Sequence, residues 1–337
     1  MIPVTVLTGF LGSGKTTLLA RLLKSPEFAR TAVIINEFGE VGIDHDLLEA
    51  GEESFVQLET GCLCCASRGD VEATIAQFLA RRERGAVPPF ERIVIETSGL
   101  ADPAPILNAV MREAARGTGI ELCNVVTTVD CVTGLDALAR EPQSVRQVAV
   151  ADRLVLTKAD IGGVPPALRA HLAAINPGTP ATEAQFGDVD VARLFNAARD
   201  PAASFEISSR DAARRVHAHH NDIQCIVIRR EQPVPALLIT LLLEALADHC
   251  GAELLRLKGL LYIKERPEHP AVIHGVQHVF HAPKWLDRWP SGDRSTRLVL
   301  IGRGLSAPWI ECVMAALETE LVEIAATNRS RPVAIEN

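Results

Sequence analysis

Cys62, Cys64 and Cys65 gather three of the chain's eight cysteines into the run Gly61-Cys62-Leu63-Cys64-Cys65. Thiolates that close repel one another unless a cation sits among them, and the cations that suit sulfur are soft or borderline-soft metal ions such as zinc. Three cysteine ligands leave one position of a tetrahedral site open, for water, for an acid such as Glu40, or for a ligand from another protein. Cys123, Cys131, Cys225, Cys250 and Cys312 are scattered singly and read as buried thiols of a reducing compartment, not as a disulfide framework.

Upstream, Gly9-Phe10-Leu11-Gly12-Ser13-Gly14-Lys15-Thr16-Thr17 fits the pattern GxxxxGK[ST]. Its glycines Gly9, Gly12 and Gly14 let backbone N–H groups turn inward around phosphate oxygens. Ser13 and Thr17 complete the nucleotide-binding run. Lys15 neutralises the β- and γ-phosphates, and the Thr16 hydroxyl is placed to bind Mg²⁺. The run Val4–Thr8 before it predicts a buried strand rather than a signal peptide, and Leu18, Leu19, Leu22 and Leu23 after it predict a helix.

Two further motifs complete a triphosphate machine. Arg92-Ile93-Val94-Ile95-Glu96-Thr97-Ser98-Gly99 reads as a buried strand ending in an acid, three residues before a glycine. Glu96 there can hold Mg²⁺ or orient the attacking water, and Gly99 can sense a γ-phosphate. Thr157-Lys158-Ala159-Asp160 resembles the guanine-reading motif NKxD, with Thr157 in the place of Asn. Asp160 is the discriminating member, since a carboxylate accepts from both N1–H and the exocyclic amine of guanine. The loop Glu37–Asp46, with Glu37, Glu40, Asp44 and His45, is expected at the C-terminal end of a strand, where it is either a switch segment or a solvated loop.

These residues need a scaffold that brings strand ends together. Strands are predicted at Val4–Thr8, Thr31–Asn36, Arg92–Glu96, Val125–Asp130 and Arg153–Thr157, with a helix over Val71–Arg82. Asp102 is expected to cap a further helix that has Pro103 at its first position. That pattern predicts an α/β fold: a P-loop nucleoside-triphosphatase domain with a mostly parallel sheet flanked by helices, over 1–207. A smaller C-terminal α+β domain is expected over 223–327, with a strand at Gln224–Arg230 and a helix at Pro235–Ala247. Strands follow at Leu254–Leu257, Leu260–Lys264, Val272–Phe280 and Arg297–Gly302, and a helix from Ala307. Residues 208–222, with His217, His219 and His220, read as a linker or a weak metal-collecting tract, and 328–337 as a tail. His274 and His278 would share a strand face, but with His281 they are left out of the site. At 337 residues with 47% apolar and 23% charged residues, the chain reads as a soluble protein with two cores. A net charge of −8 without a basic run argues against nucleic acid, and no apolar run reaches the roughly 18 residues of a membrane helix.

The phosphate loop, Cys-Leu-Cys-Cys, Glu96-Thr97-Ser98-Gly99 and Thr157-Lys158-Ala159-Asp160, in this order, resemble the CobW-type GTPases, the cobalamin-synthesis-W family of metal chaperones. Arg256-Leu257-Lys258-Gly259-Leu260, His274-Gly275-Val276-Gln277 and Arg297-Leu298-Val299-Leu300-Ile301-Gly302-Arg303 look like that family's C-terminal domain. The resemblance implies a cytosolic GTPase that uses GTP and Mg²⁺, with Lys15, Glu96 and Gly99 in the hydrolytic machinery and Lys158 and Asp160 on the base. It implies Zn²⁺, or in some branches Co²⁺ or Fe²⁺, on Cys62, Cys64 and Cys65, delivered to a client apo-metalloprotein. It also implies kinship with the urease- and hydrogenase-maturation GTPases, many of which dimerise when loaded with nucleotide. Two rival readings of the cysteines stand beside cargo transfer: zinc that only staples a loop, and clustered thiols that sense oxidation.

Overall fold

In a computed structural model of the chain, residues 1–36, 55–57, 63–66, 71–184, 194, 216–217 and 223–330 are described, with backbone alone at 55–57, 63–66, 216–217 and 325–330. The chain forms two compact units, Met1–Cys225 and Ile226–Asn337.

In the first unit, strand β1 (Ile2–Gly9) leads into helix α1 (Lys15–Leu23), and β2 (Thr31–Asn36) follows. Next come β3 (Phe55–Gln57), β4 (Leu63–Ala66), α2 (Val71–Glu83) and β5 (Arg92–Thr97). Then α3 (Ala104–Ala115) precedes the long β6 (Ile120–Asp130), the short helices α4 (Gly134–Arg140) and α5 (Pro142–Ala149), and β7 (Arg153–Thr157). The series closes with α6 (Ala159–Gly162), α7 (Pro166–Ile175) and β8 (Ala181–Glu183).

The sheet order is β3-β4-β2-β5-β1-β6-β7-β8. Every neighbouring pair is parallel except β3–β4. β1 is central, and its apolar residues Val4, Val6 and Leu7 are fully buried, as a strand covered on both faces requires. Leu18, Leu19 and Leu22 of α1 pack on Leu7, Val33, Val94 and Val126 of four adjacent strands. Because these strands are parallel, the C-terminal ends of β1, β2, β5, β6 and β7 lie along one edge. That edge is where ligands bind in such sheets.

A second, antiparallel sheet runs β13-β12-β11-β15-β10-β9, with β14 beside β12, and belongs to the second unit apart from β9 and the start of β10. Its strands are β9 (Val216–His217), β10 (Ile223–Arg230), β11 (Leu254–Leu261), β12 (Ala271–Val276), β13 (Val279–Phe280), β14 (Lys284–Trp285) and β15 (Thr296–Arg303). Helices α8 (Ala236–Cys250) and α9 (Ala307–Ser330) lay Leu238, Leu242, Ile310 and Met314 on Leu257 and Leu300 to make a core of this unit's own.

Three local expectations change. Gly259, expected to divide two strands, lies inside β11, where a Cβ would meet Leu298 Cδ2 at 2.6 Å and Ile273 Cγ1 at 2.8 Å. It is a crossing point for neighbouring side chains, not a break. The single strand expected over Val272–Phe280 is instead a hairpin that turns at Gln277, which has φ of 55°. His278 is therefore in the turn, off the strand face of His274. Of the single cysteines Cys131 and Cys225 are buried, but Cys123 and Cys250 are only half-buried and Cys312 is exposed. α9 packs one face into the core through Ile310 and Met314, and Cys312, midway between them, is turned away.

Candidate nucleotide site and cysteine strand

The phosphate loop bridges the end of β1 and the start of α1. Gly9, Gly12 and Gly14 have φ of 143°, 72° and 88°. Such positive values suit residues without a Cβ and turn successive amides inward. Lys15 is buried at 6% exposure, and its Nζ donates to Gly9 O at 2.9 Å and Phe10 O at 3.4 Å, so its ammonium lies over the loop. Ser13 is fixed from behind by a 2.7 Å hydrogen bond between its Oγ and Thr128 Oγ1 on β6. Thr17 is exposed and Thr16 half-buried in the first turn of α1.

Glu96, at 2% exposure near the end of β5, accepts a hydrogen bond from Thr16 Oγ1 at 2.9 Å on Oε1. The two oxygens read as Mg²⁺ ligands thus meet where the first turn of α1 faces the end of β5. Neighbouring ligands of an octahedral ion bound at about 2.1 Å stand about 3 Å apart, so the pair fits Mg²⁺. Gly99 follows, pressed onto the phosphate loop. A Cβ there would lie 2.8 Å from the Leu11 N and Cα atoms and 3.0 Å from Lys15 Nζ, so only glycine allows this approach. Asp102 performs the capping expected of it, with Oδ1 accepting from Ala104 N at 3.0 Å, although the helix begins at Ala104 rather than Pro103.

At the run Thr157-Lys158-Ala159-Asp160 the structure explains Thr157. Its buried hydroxyl donates to Ser13 O at 2.7 Å, so it ties the base loop to the phosphate loop. Lys158 takes the left-handed conformation, with φ of 58°, and its Nζ donates to Asp130 Oδ2 at 2.7 Å. Asp160 is exposed in the first turn of α6, open to a base edge. Asp130 was not singled out by its sequence, although an acid ending a strand on the ligand edge is a signal. Burial pushes its carboxyl up, but hydrogen bonds from Lys158, the Val132 amide and Thr133 outweigh this and hold it below the ordinary carboxylate range. A second unforeseen residue is Gln147 of α5, whose Nε2 donates to Gly99 O at 3.2 Å and Ala101 O at 3.1 Å.

Of the cysteine run, Cys62 lies outside the described residues, as do Glu37, Glu40, Asp44, His45, His219 and His220. The backbone of Cys64 and Cys65 forms β4, pairing in register with Val33 and Ile34 of β2 on one side and with Val56 and Phe55 of β3 on the other. Ile34 pairs in turn with Ile95 of β5, and Ile35 with Glu96. At about 4.8 Å per strand, Cys65 lies roughly 10 Å of sheet from the backbone of Ile95. The backbone of His217 is in β9, opposite Gln224. Among the described residues no three His, Cys, Asp or Glu side chains converge as a metal cluster, and no helix is long and apolar enough to cross a membrane.

Comparison with known proteins agrees with this layout. The profile described as "CobW/HypB/UreG, nucleotide-binding domain" matches residues 3–182, and that of the "Cobalamin synthesis protein cobW C-terminal domain" matches 223–318. The zinc chaperone YjiA of Escherichia coli is 33% identical over 94% of this chain and 98% of its own, and the zinc chaperone CobW of a Sinorhizobium species is 31% identical over 89% and 92%. The crystal structure of the Zn(II)-bound YjiA GTPase superposes with a TM-score of 0.74 at 31% identity, covering 94% of this chain and 98% of that one. A Zn(II)-bound variant of that GTPase, with a glutamate and two cysteines changed to alanine, superposes with 0.73 at the same identity and coverage. Its two matched domains, its glycine cradle, its Thr16–Glu96 pair and its likeness over nearly the whole chain establish that this protein belongs to the CobW family of P-loop GTPases.

Proposed function

We propose that this GTPase is a metallochaperone that binds zinc through Cys62, Cys64 and Cys65 and passes it to a client apo-metalloprotein according to its nucleotide state. The single observation that carries this reading is the register of the sheet. β4, with Cys64 and Cys65, is hydrogen-bonded to β2, and β2 to the strand bearing Glu96. Two ladders of backbone hydrogen bonds therefore join the cysteine strand to the end of the nucleotide strand. A displacement at Glu96 and Gly99 has a short, stiff path to the metal.

The nucleotide-and-metal domain in this reading spans 1–207, linked through 208–222 to the domain at 223–327, within a cytoplasmic protein. Thr16 and Glu96 would hold Mg²⁺, which when bound would supply charge neutralisation to the phosphates. Lys15 would leave the loop carbonyls to meet phosphate, and Asp160 would select guanine. Cargo zinc on three cysteines keeps one position for Glu40, water or a client ligand. Co²⁺ or Fe²⁺ suits the same sulfur donors less selectively, and a nucleotide-loaded homodimer would present two such sites together.

Only a difference in metal affinity between nucleotide states can make the switch useful. Zinc affinity is to be measured with a competing chelator, with a non-hydrolysable GTP analogue and with GDP, on the wild type and on single Cys62→Ser, Cys64→Ser and Cys65→Ser variants. At least a tenfold difference between nucleotides is expected, abolished by each substitution. Equal affinities would sink the switch, and unfolding on chelation without transfer to a client would establish a structural zinc instead. Because the triple variant of the Escherichia coli relative is itself zinc-bound, affinity cysteine by cysteine is the informative quantity, not the presence of zinc.

A further inference from the structure

Helix α5 grips the segment that must respond to the γ-phosphate. Gln147, at 1% exposure, spends both amide protons on that segment, through Nε2 to Gly99 O and Ala101 O. Its neighbour Arg146 donates from Nη1 to Asp102 Oδ2 at 2.5 Å. Two consecutive side chains of one helix thus hold the three residues Gly99, Ala101 and Asp102. The orientation of the Gln147 amide is fixed, because the flipped amide would set its oxygen against two carbonyls.

The helix is itself anchored. Thr127 Oγ1 on β6 donates to Gln147 O at 2.8 Å, and Ser144 Oγ donates back to Ala137 O and Glu141 O at 2.8 Å each. Its C-terminal end is held by Asn176, whose Nδ2 reaches Val148 O at 2.9 Å, Ala149 O at 3.1 Å and Ala151 O at 2.8 Å. α5 is therefore a fixed post, and the segment between β5 and α3 is tied to it while Gly99 lies against Leu11 and Lys15.

We infer that Gln147, assisted by Arg146, is a positioning residue for GTP hydrolysis. It keeps the Gly99–Ala101 backbone closed on the phosphate loop, so that a γ-phosphate finds its sensing segment in place. GDP makes no demand on that segment. Gln147 therefore sets the preference for triphosphate over diphosphate, not nucleotide affinity as such. The inference rests on the GTPase half of the reading above and is indifferent to the metal.

The test compares full-length wild type with Gln147→Met, which keeps the length of the side chain and removes its donors, and Gln147→Glu, which keeps the shape and turns oxygens toward both carbonyls. GDP and a non-hydrolysable GTP analogue are titrated without zinc, and kcat and KM for GTP are measured. Loss of two buried hydrogen bonds is expected to weaken the analogue about tenfold and lower kcat about as much, with GDP affinity within about twofold. Arg146→Met is expected to move the same ratio in the same direction by a smaller factor, and Arg146→Lys to restore it. This half-exposed position keeps the test open if a Gln147 variant does not fold. Parallel loss of both nucleotides, or an unchanged ratio in every folded variant, would overturn the assignment.

Discussion

At the scale of single residues, the site is organised by groups that hold other groups. Asp130 is not itself an expected nucleotide ligand, yet it fixes the ammonium of Lys158, whose backbone is left-handed. A carboxyl whose folded pKa is lowered contributes its stability in full above the unfolded value, near 4, and loses it as the pH falls through the lowered value. Asp130→Asn is therefore expected to cost about 1–2 kcal/mol. Urea unfolding should show that difference unchanged from pH 7 to pH 5 and shrinking below pH 4. Asp130 offers one legible sign, an acid at a strand end, whereas nothing around Gln147 distinguishes it from any polar residue on a short helix. Thr157 stands where the base-reading motif has Asn. Its hydroxyl on Ser13 O makes a strut between two loops 144 positions apart, a relation no local pattern carries.

At the scale of elements, α5 matters out of proportion to its length. It lacks a side-chain cap at its start, and its last turn depends on Asn176, which is 2% exposed. Asn176→Ala would remove the side-chain amide that reaches three carbonyls at the end of α5, at an expected cost of about 2 kcal/mol. Thermal unfolding measures that cost, and the preference for GTP analogue over GDP should fall with it because the post behind Gly99 loosens. The long apolar strands were legible: Thr31–Asn36 and Arg153–Thr157 occur with the expected bounds. α4, α5 and α7 were not, because at 7, 8 and 10 residues they span barely two or three turns, too few for periodicity to stand out.

At the scale of the whole molecule, the two units have separate cores. Among the described residues, the cluster around Leu242, Leu257 and Leu300 draws on residues from Ile226 onward, and the cluster around Leu7 and Leu19 on residues up to Leu194. Leu300 is fully buried, so Leu300→Ala is expected to cost about 2–5 kcal/mol. Calorimetry should show that loss in one unfolding transition while GTP affinity at 20 °C stays within about twofold. A fall in GTP affinity matching the fall in stability would show that the nucleotide site draws on the second core.

The sequence by itself determined the chemistry and the class of scaffold. A glycine cradle, a lysine, an acid at the end of an apolar strand and the run Thr157-Lys158-Ala159-Asp160 are local patterns, because each depends on backbone freedom or a side chain at fixed spacing. Tertiary structure alone decided which strands are neighbours. That adjacency puts Thr16 on Glu96, Thr157 on Ser13 and Gln147 on Gly99, and sets the cysteine strand two places from the nucleotide strand. Strand order follows from how crossovers pack across a whole sheet, and no window of sequence contains it.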